Sequence, residues 1–364
     1  MLNFAPTEEQ EEIRRLARSL ALDELRPRGR EAEQRGDMPP ELARTLAQTG
    51  LTTPFPEDLG GSGSIEAVTY ALIAEELGFG DSGLATNIIG SMMGPLAVML
   101  AGDRSQQERY IPPFCTDDGP NELGSFAFAE RTGGYTLDEV TAAVRATGDG
   151  YSLSGTKRDV IYGSQSTPRV VLARLEGTSG SEGLCALVVP AILEGLHISD
   201  DAQKLGLIAA PSASLRLEQV QVPGEEMLGQ PGDSGVIRAA TLYQMLRAGV
   251  ACGAARAALE YASAYAKERI AFGRPIVSYQ GIAFMISEMA MKLDAARLLL
   301  WRAAASWDQQ AEPETLVQEA GAAQRQAVKL AKSATIDAVQ IMGGAGFMQD
   351  HPAEMWMRNA AAMD

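Results

Sequence analysis

The sequence predicts an α+β, multidomain protein in which a helical section is followed by a β section and then by helices again. Three observations predict it. The first 120 or so residues carry helical spacing with no strand-like alternation. From residue 124, short apolar runs are broken by Gly, Ser and Asp. From about Gly232 to the end, apolar residues again recur three and four apart. The expected division is an N-terminal helical domain over 1–121, a middle β barrel or sandwich over 122–229, and a C-terminal four-helix bundle over 230–364. At 364 residues the chain can hold two or three domains and a large core.

In order, Thr7-Glu8-Glu9-Gln10 reads as a capping box, with Ile13, Leu16, Leu20 and Leu25 at near-helical intervals behind it. A second helix starts near Pro40 and ends at Gly50. Pro56 to Gly63 is a turn-rich loop, and Ile65 to Leu77 is helical. Leu84 to Leu100 is an apolar helix, and a short one around Gln106 to Tyr110 ends at Pro112-Pro113. The β-type runs are Gly124–Ala129, Val140–Thr147, Tyr151–Lys157, Arg169–Leu175 and Leu184–Pro190. Gly148-Asp149-Gly150 suits a hairpin turn, and Glu176 to Glu182 suits a mobile loop. Leu215 to Pro223 alternates but slips once between Leu217 and Val220, as a bulge would. Ala327, Leu330, Ala331, Ala334, Ala338 and Ile341 line one face of a later long helix.

Composition narrows the function. A net charge of −16 argues against nucleic acid and anionic membrane as partners, although a local arginine cluster can still take an anionic ligand. No apolar run is expected to reach the roughly 20 residues of a membrane span. The N-terminus turns acidic and does not read as a secretory signal. Three scattered cysteines, Cys115, Cys185 and Cys252, lack metal spacing and suit buried thiols in a reducing cytoplasm. Two histidines, His197 and His351, leave little room for a His-based triad, and no metal site is expected.

The chain is organised around Arg247 to Trp301, read as two long helices joined by a turn. The second puts Ile282, Met285, Ile286, Met289, Leu293, Ala296 and Leu300 on one face, and Gly273 with Pro275 is expected to stop the first. Such pairs ordinarily pack in bundles. This one also gathers Arg269, Phe272 and Gln280 at the hinge: a charge, an aromatic and an amide that suit a phosphate and a flat ring.

The run from Tyr265 to Gln280, Tyr-Ala-Lys-Glu-Arg-Ile-Ala-Phe-Gly-Arg-Pro-Ile-Val-Ser-Tyr-Gln, resembles a signature of the acyl-CoA dehydrogenases. Asp337 to Phe347, Asp-Ala-Val-Gln-Ile-Met-Gly-Gly-Ala-Gly-Phe, resembles that family's other C-terminal signature. Weaker similarity extends over nearly the whole chain. The resemblance implies the three-domain acyl-CoA dehydrogenase fold, FAD as cofactor, an acyl-CoA substrate and an electron-transfer flavoprotein as electron acceptor. It also implies fatty-acid or steroid β-oxidation, in which a carboxylate takes the α-proton while a hydride leaves the next carbon for the flavin.

Carried over by resemblance, Arg269, Phe272 and Gln280 match the pyrophosphate and adenine contacts made to a neighbouring subunit's FAD. Gln340, Gly343 and Gly344 match the second contact loop, and Arg247 matches an arginine near the acyl-CoA. The ring-binding half departs from the pattern. Where the family reads roughly Thr-Glu-Pro-Gly-Ala-Gly-Ser-Asp, this chain has Ala129 through Thr136, with Ala129 for the ring-bonding Thr and Tyr135 for the small Ser. In the next segment, Asp159 replaces a ring-covering aromatic and Ile161 replaces a Thr. The base is not identified either. One branch would place it at Leu246; the other, counting from Arg358-Asn359-Ala360, places it past Asp364. Glu130 and Glu354 lie near the pattern, but the family uses neither as base. This division resembles the partner subunit of heteromeric α2β2 acyl-CoA dehydrogenases of the steroid side-chain type. The alternatives are a competent homotetrameric enzyme and a flavin-free member of the fold.

Overall fold

In a computed structural model the described residues are 6–63, 65–116, 118–131, 134–200 and 204–364. The N-terminal helices are α1 (Glu8–Leu20), α2 (Arg26–Arg35), α3 (Pro40–Ala47), α4 (Ala67–Gly80), α5 (Ser82–Ala101) and α6 (Arg104–Tyr110). The capping box forms as read: Thr7 Oγ1 accepts from Gln10 N, and Gln10 Oε1 accepts from Thr7 N. Between α1 and α2, Ala21–Leu25 is a π-helical turn. Its five-residue step brings both Leu20 and Leu25 inward, whereas Leu16, expected on the same face, is exposed.

The middle section is one eight-stranded mixed sheet of β1 (Ser125–Ala127), β2 (Ala143–Ala146), β3 (Gly150–Ile161), β4 (Arg169–Leu175), β5 (Leu184–Val188), β6 (Leu196–Asp200), β7 (Ser212–Pro223) and β8 (Met227–Leu228). The order is β6-β7-β3-β2-β4-β5-β8, with β1 pairing parallel to β4. Side chains from strands spread along this path, among them Val144, Leu153, Val171, Leu187 and Leu217, meet in one apolar cluster, so the sheet curls around its own core. The slip in the β7 alternation is a real bulge. Leu153 pairs with Val220 but Gly155 pairs with Leu217, and Gln219 takes φ 55° in the extra residue. The edge strand β6 and the short β8 have no counterpart in the sequence-based expectation.

Helix returns with α7 (Ser234–Glu268), α8 (Gln280–Asp308), α9 (Pro313–Met342) and the short α10 (Ala353–Ala361). The turn between α7 and α8 differs from the expectation. The helix stops at Glu268, before Gly273, because residues 270–275 form a two-stranded hairpin. Ile270–Ala271 (β9) pairs with Arg274–Pro275 (β10), and Phe272-Gly273 is its two-residue loop. Gly249 and Gly253 let α7 lie directly on α4: a Cβ at Gly253 would stand 2.1 Å from the Glu75 carbonyl oxygen.

Helix α5 joins the sections. Pro95 within it cannot donate to the Ser91 carbonyl, and the N–H of Gly124, at the entrance to β1, takes that carbonyl at 3.0 Å. The expectation that no apolar run reaches membrane-spanning length is corrected here. Ser82–Ala101 is long and apolar enough by length and composition, and 83% of its most apolar window is buried inside the protein as a core helix. Among the cysteines, Cys185 and Cys252 are buried and Cys115 is half-buried; none forms a disulfide.

Candidate functional site

The sequence-predicted residues fall into two environments. The first lies at one end of the helical bundle. Because α7, α8 and α9 run up, down and up, the α7–α8 hairpin and the C-terminal end of α9 share that end. Cross-helix contacts agree: Asp337 of α9 feels the charges of Lys292 and Glu288 of α8, and Tyr261 Oη of α7 stands 2.7 Å from His351 Nδ1 beyond α9. Arg269, Phe272 and Gln280 on the hairpin side and Gln340, Gly343 and Gly344 on the α9 side are all exposed.

The hairpin is built to present Phe272. A two-residue loop that follows the strand twist needs positive φ at both central residues, and Phe272 and Gly273 have φ 51° and 83°. Gly takes this freely; a bulky aromatic does not. Phe272 is nonetheless held there with 97% of its surface exposed. Tyr279 Oη donates to the Ala271 carbonyl at 2.9 Å, and Arg274 lies over the Tyr279 ring at 4.1 Å, which stiffens the base of the hairpin. Arg269 makes no ion pair and no side-chain hydrogen bond among the described residues. Gly343 has φ 57°, and a Cβ on either Gly343 or Gly344 would meet open space. An unpaired guanidinium, an exposed aromatic, two amides and bare backbone suit a phosphate and a purine.

The second environment is buried between α5, α7 and β1. Tyr135 fills it. Its ring packs edge-on against Phe128 and Tyr243, with centroids 5.7 and 5.9 Å away, and the Arg247 guanidinium lies 3.5 Å from its centroid. Gln244 Nε2 donates to the Tyr135 carbonyl at 2.6 Å. Arg247, expected near an acyl-CoA, turns into this cluster and donates to the Met363 carbonyl at 2.9 Å. Its Nε is buried without a partner, as is Gln244 Oε1, and Arg247 forms no ion pair among the described residues. The space left between Thr86 and Ile89 of α5 and Tyr243 and Val250 of α7 is about 10 Å³. That is at the lower limit for one water and holds no acyl chain or flavin ring.

The departures from the ring-binding pattern each have a structural use. Ala129 is buried, with its carbonyl accepting from Arg158 N at 2.8 Å. Asp159 sits at φ 53°, where the β3–β7 register shifts. Ile161 packs into the notch left by Gly90 of α5, where a Cβ would stand 2.6 Å from it. Thr132 and Gly133 lie outside the described residues.

Neither nearby carboxylate is free to act as a base. Glu130 pairs with fully buried Lys157 at 2.8 Å and accepts from the Thr141 and Ala142 amides. Burial acts to raise its pKa, but the Lys157 charge and these donors outweigh it and hold the carboxyl below the usual range. Glu354 is held by Arg358 at 2.8 Å and by Arg30. Leu246 is core. Sequence reasoning missed Tyr243 and Gln244; only their places three and four residues before Arg247 on one helix could have suggested them.

Comparison with known proteins agrees with this architecture. The chain matches the acyl-CoA dehydrogenase N-terminal domain over residues 7–118, the middle domain over 125–220 and the C-terminal domain over 233–364. It is 31% identical over 360 residues to the probable acyl-CoA dehydrogenase fadE25 of Mycobacterium leprae, covering 98% of this chain and 91% of that protein. The butyryl-CoA dehydrogenase of Megasphaera elsdenii superposes with a TM-score of 0.83 at 28% identity, covering 100% of this chain and 95% of that one. PigA, solved with FAD and proline, shares the fold with a TM-score of 0.84 at 22% identity over 99% and 94% of the two chains. This chain belongs to the acyl-CoA dehydrogenase family, oxidoreductases acting on the CH–CH group of acyl-CoA thioesters.

Proposed function

We propose that this chain is the partner subunit of a heteromeric acyl-CoA dehydrogenase. Arg269, Phe272, Gln280, Gln340, Gly343 and Gly344 hold the adenosine-diphosphate end of an FAD whose ring and acyl-CoA lie on the other subunit. One observation carries the reading: Phe272 is kept fully exposed in a backbone conformation that disfavours it, beside an unpaired Arg269. Bound FAD supplies the hydride acceptor, and this chain's part is to grip its charged end. The departure of the ring half from the family pattern supports this: Tyr135 stands where the family has a small Ser, and it packs with Arg247 beside a space of only about 10 Å³. The base and the acyl pocket therefore belong to the partner, which in the assemblies this division resembles acts on steroid side chains.

The bundle surface is suited to such an assembly. Phe284, Met291 and Leu298 are exposed at seven-residue intervals along α8. We place the complex in the cytoplasm, with an electron-transfer flavoprotein as its electron acceptor.

The test is the FAD content of the chain purified alone and after co-expression with a second acyl-CoA dehydrogenase chain. Flavin only in the mixed complex, at about one per pair and reduced by Arg269→Ala, is the expected result. One FAD per subunit in the lone chain would overturn it and return the homotetrameric enzyme.

A further inference from the structure

Helix α5 packs against α7 on one side. Toward α3 and the 119–123 turn lies a cavity of about 240 Å³. Met38, Leu46, Met92 and Phe114 give it an apolar wall. Asp37, Asn87 and Tyr162, which come from three different parts of the chain, also line it.

These three are arranged around one carboxylate oxygen. Asp37 Oδ1 accepts from Met38 N at 2.7 Å and from Tyr162 Oη at 2.5 Å, and Asn87 Nδ2 donates to Tyr162 Oη at 2.8 Å behind it. Asn87 and Tyr162 are buried, and Asn87 Nδ2 also reaches the Ala209 carbonyl at 2.8 Å, so the donors are themselves fixed. Asp37 Oδ2 accepts no hydrogen bond among the described residues. Two donors on one oxygen hold the carboxylate still with its other oxygen unused. Asp37 is half-buried and its Oδ2 keeps some solvent exposure, so that oxygen is open to an incoming donor. A cationic donor suits it better than a neutral one, since charge-assisted bonds are about twice as strong.

We propose that this cavity is a binding site for a primary ammonium on a compact apolar body, with the ammonium on Asp37 Oδ2 and the body against Met38, Leu46 and Met92. None of the six residues assigned to FAD lines the cavity, so the site stands apart from that reading.

The test uses the full chain and four probes, by calorimetry: cyclohexylamine and 2-phenylethylamine as ammonium ions, cyclohexanol and cyclohexanecarboxylate as controls. Saturable 1:1 binding is expected for the ammonium ions alone. Asp37→Asn, which keeps the Oδ1 acceptor, should weaken it about tenfold or more. Ala43→Phe, which fills the cavity without touching Asp37, should abolish it; Ala47→Leu serves if Ala43→Phe does not fold. Absence of saturable binding, equal binding of the neutral or anionic control, or amine binding unchanged by Asp37→Asn would each overturn the proposal.

Discussion

The Arg247 guanidinium lies 3.5 Å from the centroid of the Tyr135 ring, and both side chains are buried. A buried arginine without a carboxylate needs another source of negative potential, and the aromatic face supplies it. Tyr135→Ala should therefore cost on the order of 3–5 kcal/mol, from the lost ring volume and the exposed charge together. Tyr135→Phe keeps the ring face and should cost less than about 1.5 kcal/mol. Urea denaturation of the two variants separates these outcomes. Equal losses would show that the hydroxyl, and not the ring, is what matters.

A second charge cluster ties α1, α4, α7 and α8 together. Glu75 Oε1 accepts from Arg256 at 2.9 Å and from Arg297 at 2.6 Å, while Glu76 takes Arg256 and, at 3.1 Å, Arg18. Phe79 lies beneath, with Arg18 3.6 Å and Arg256 4.3 Å from its ring centroid. Breaking a buried pair by deleting one partner leaves the other charge stranded. Arg256→Ala should cost about 3–5 kcal/mol, and the fourfold change Glu75→Leu, Glu76→Leu, Arg256→Met, Arg297→Met, which leaves Arg18 with Glu260, should recover much of that loss in the same denaturation assay. Recovery would fail if the cluster's value lay in its hydrogen bonds and not in avoiding unpaired charge.

Much of this framework was legible in the sequence, and the exceptions have physical reasons. The α8 and α9 faces and the capping box depend on local spacing and appeared as read. The β7 bulge announced itself because one extra residue flips the alternation. Strand β6 did not, since it is a five-residue edge strand with only Leu196 and Ile198 alternating toward the sheet core. The α7–α8 hairpin was hidden because a Phe at positive φ has no sequence signature. Arg247 was readable as important but not as buried, because burial depends on Tyr135, more than a hundred residues away. The Asp37–Asn87–Tyr162 cluster was invisible for the same reason.

Asp81 caps α5, with Oδ1 accepting from Leu84 N at 2.9 Å, but its Oδ2 is buried without a partner. Burial pushes its pKa up to about 6 from an ordinary value of 3.8, with Glu33 adding to the rise and amides and Arg26 opposing it. A carboxyl raised in the folded state favours folding while protonated, so its effect turns unfavourable as pH climbs from about 4 to about 6. Above that window Asp81→Asn should be more stable than the parent by on the order of 3 kcal/mol, and near pH 4 the two should converge. A stability difference that does not change with pH would show that Asp81 does not titrate in that range.

Gly253 is the point where α7 touches α4, since its missing Cβ would stand 2.1 Å from the Glu75 carbonyl oxygen and 2.5 Å from Phe79 N. On an isolated helix Gly→Ala gains about 1 kcal/mol. Here the sign should reverse, because backbone on both sides cannot yield as a flexible side chain would. Gly253→Ala should lower the melting temperature by several degrees. Gly281→Ala on α8 faces open space and should leave it level or raise it slightly.

Phe272 offers the sharpest separation of stability from function. At φ 51° its backbone costs about 1–2 kcal/mol more than an Asn or Gly would, and its exposed ring gains nothing within the chain. Phe272→Asn suits the hairpin loop, where Asn-Gly is the favoured pair, and should stabilise the isolated chain by roughly 1 kcal/mol. In the mixed complex the same change should lower FAD retention on dialysis, since the aromatic contact is gone. A residue kept for folding would show the opposite pair of results: a less stable chain with its flavin retained. Stability gained as flavin is lost would mark Phe272 as strain held for a ligand, which is what its position at the exposed end of the bundle implies.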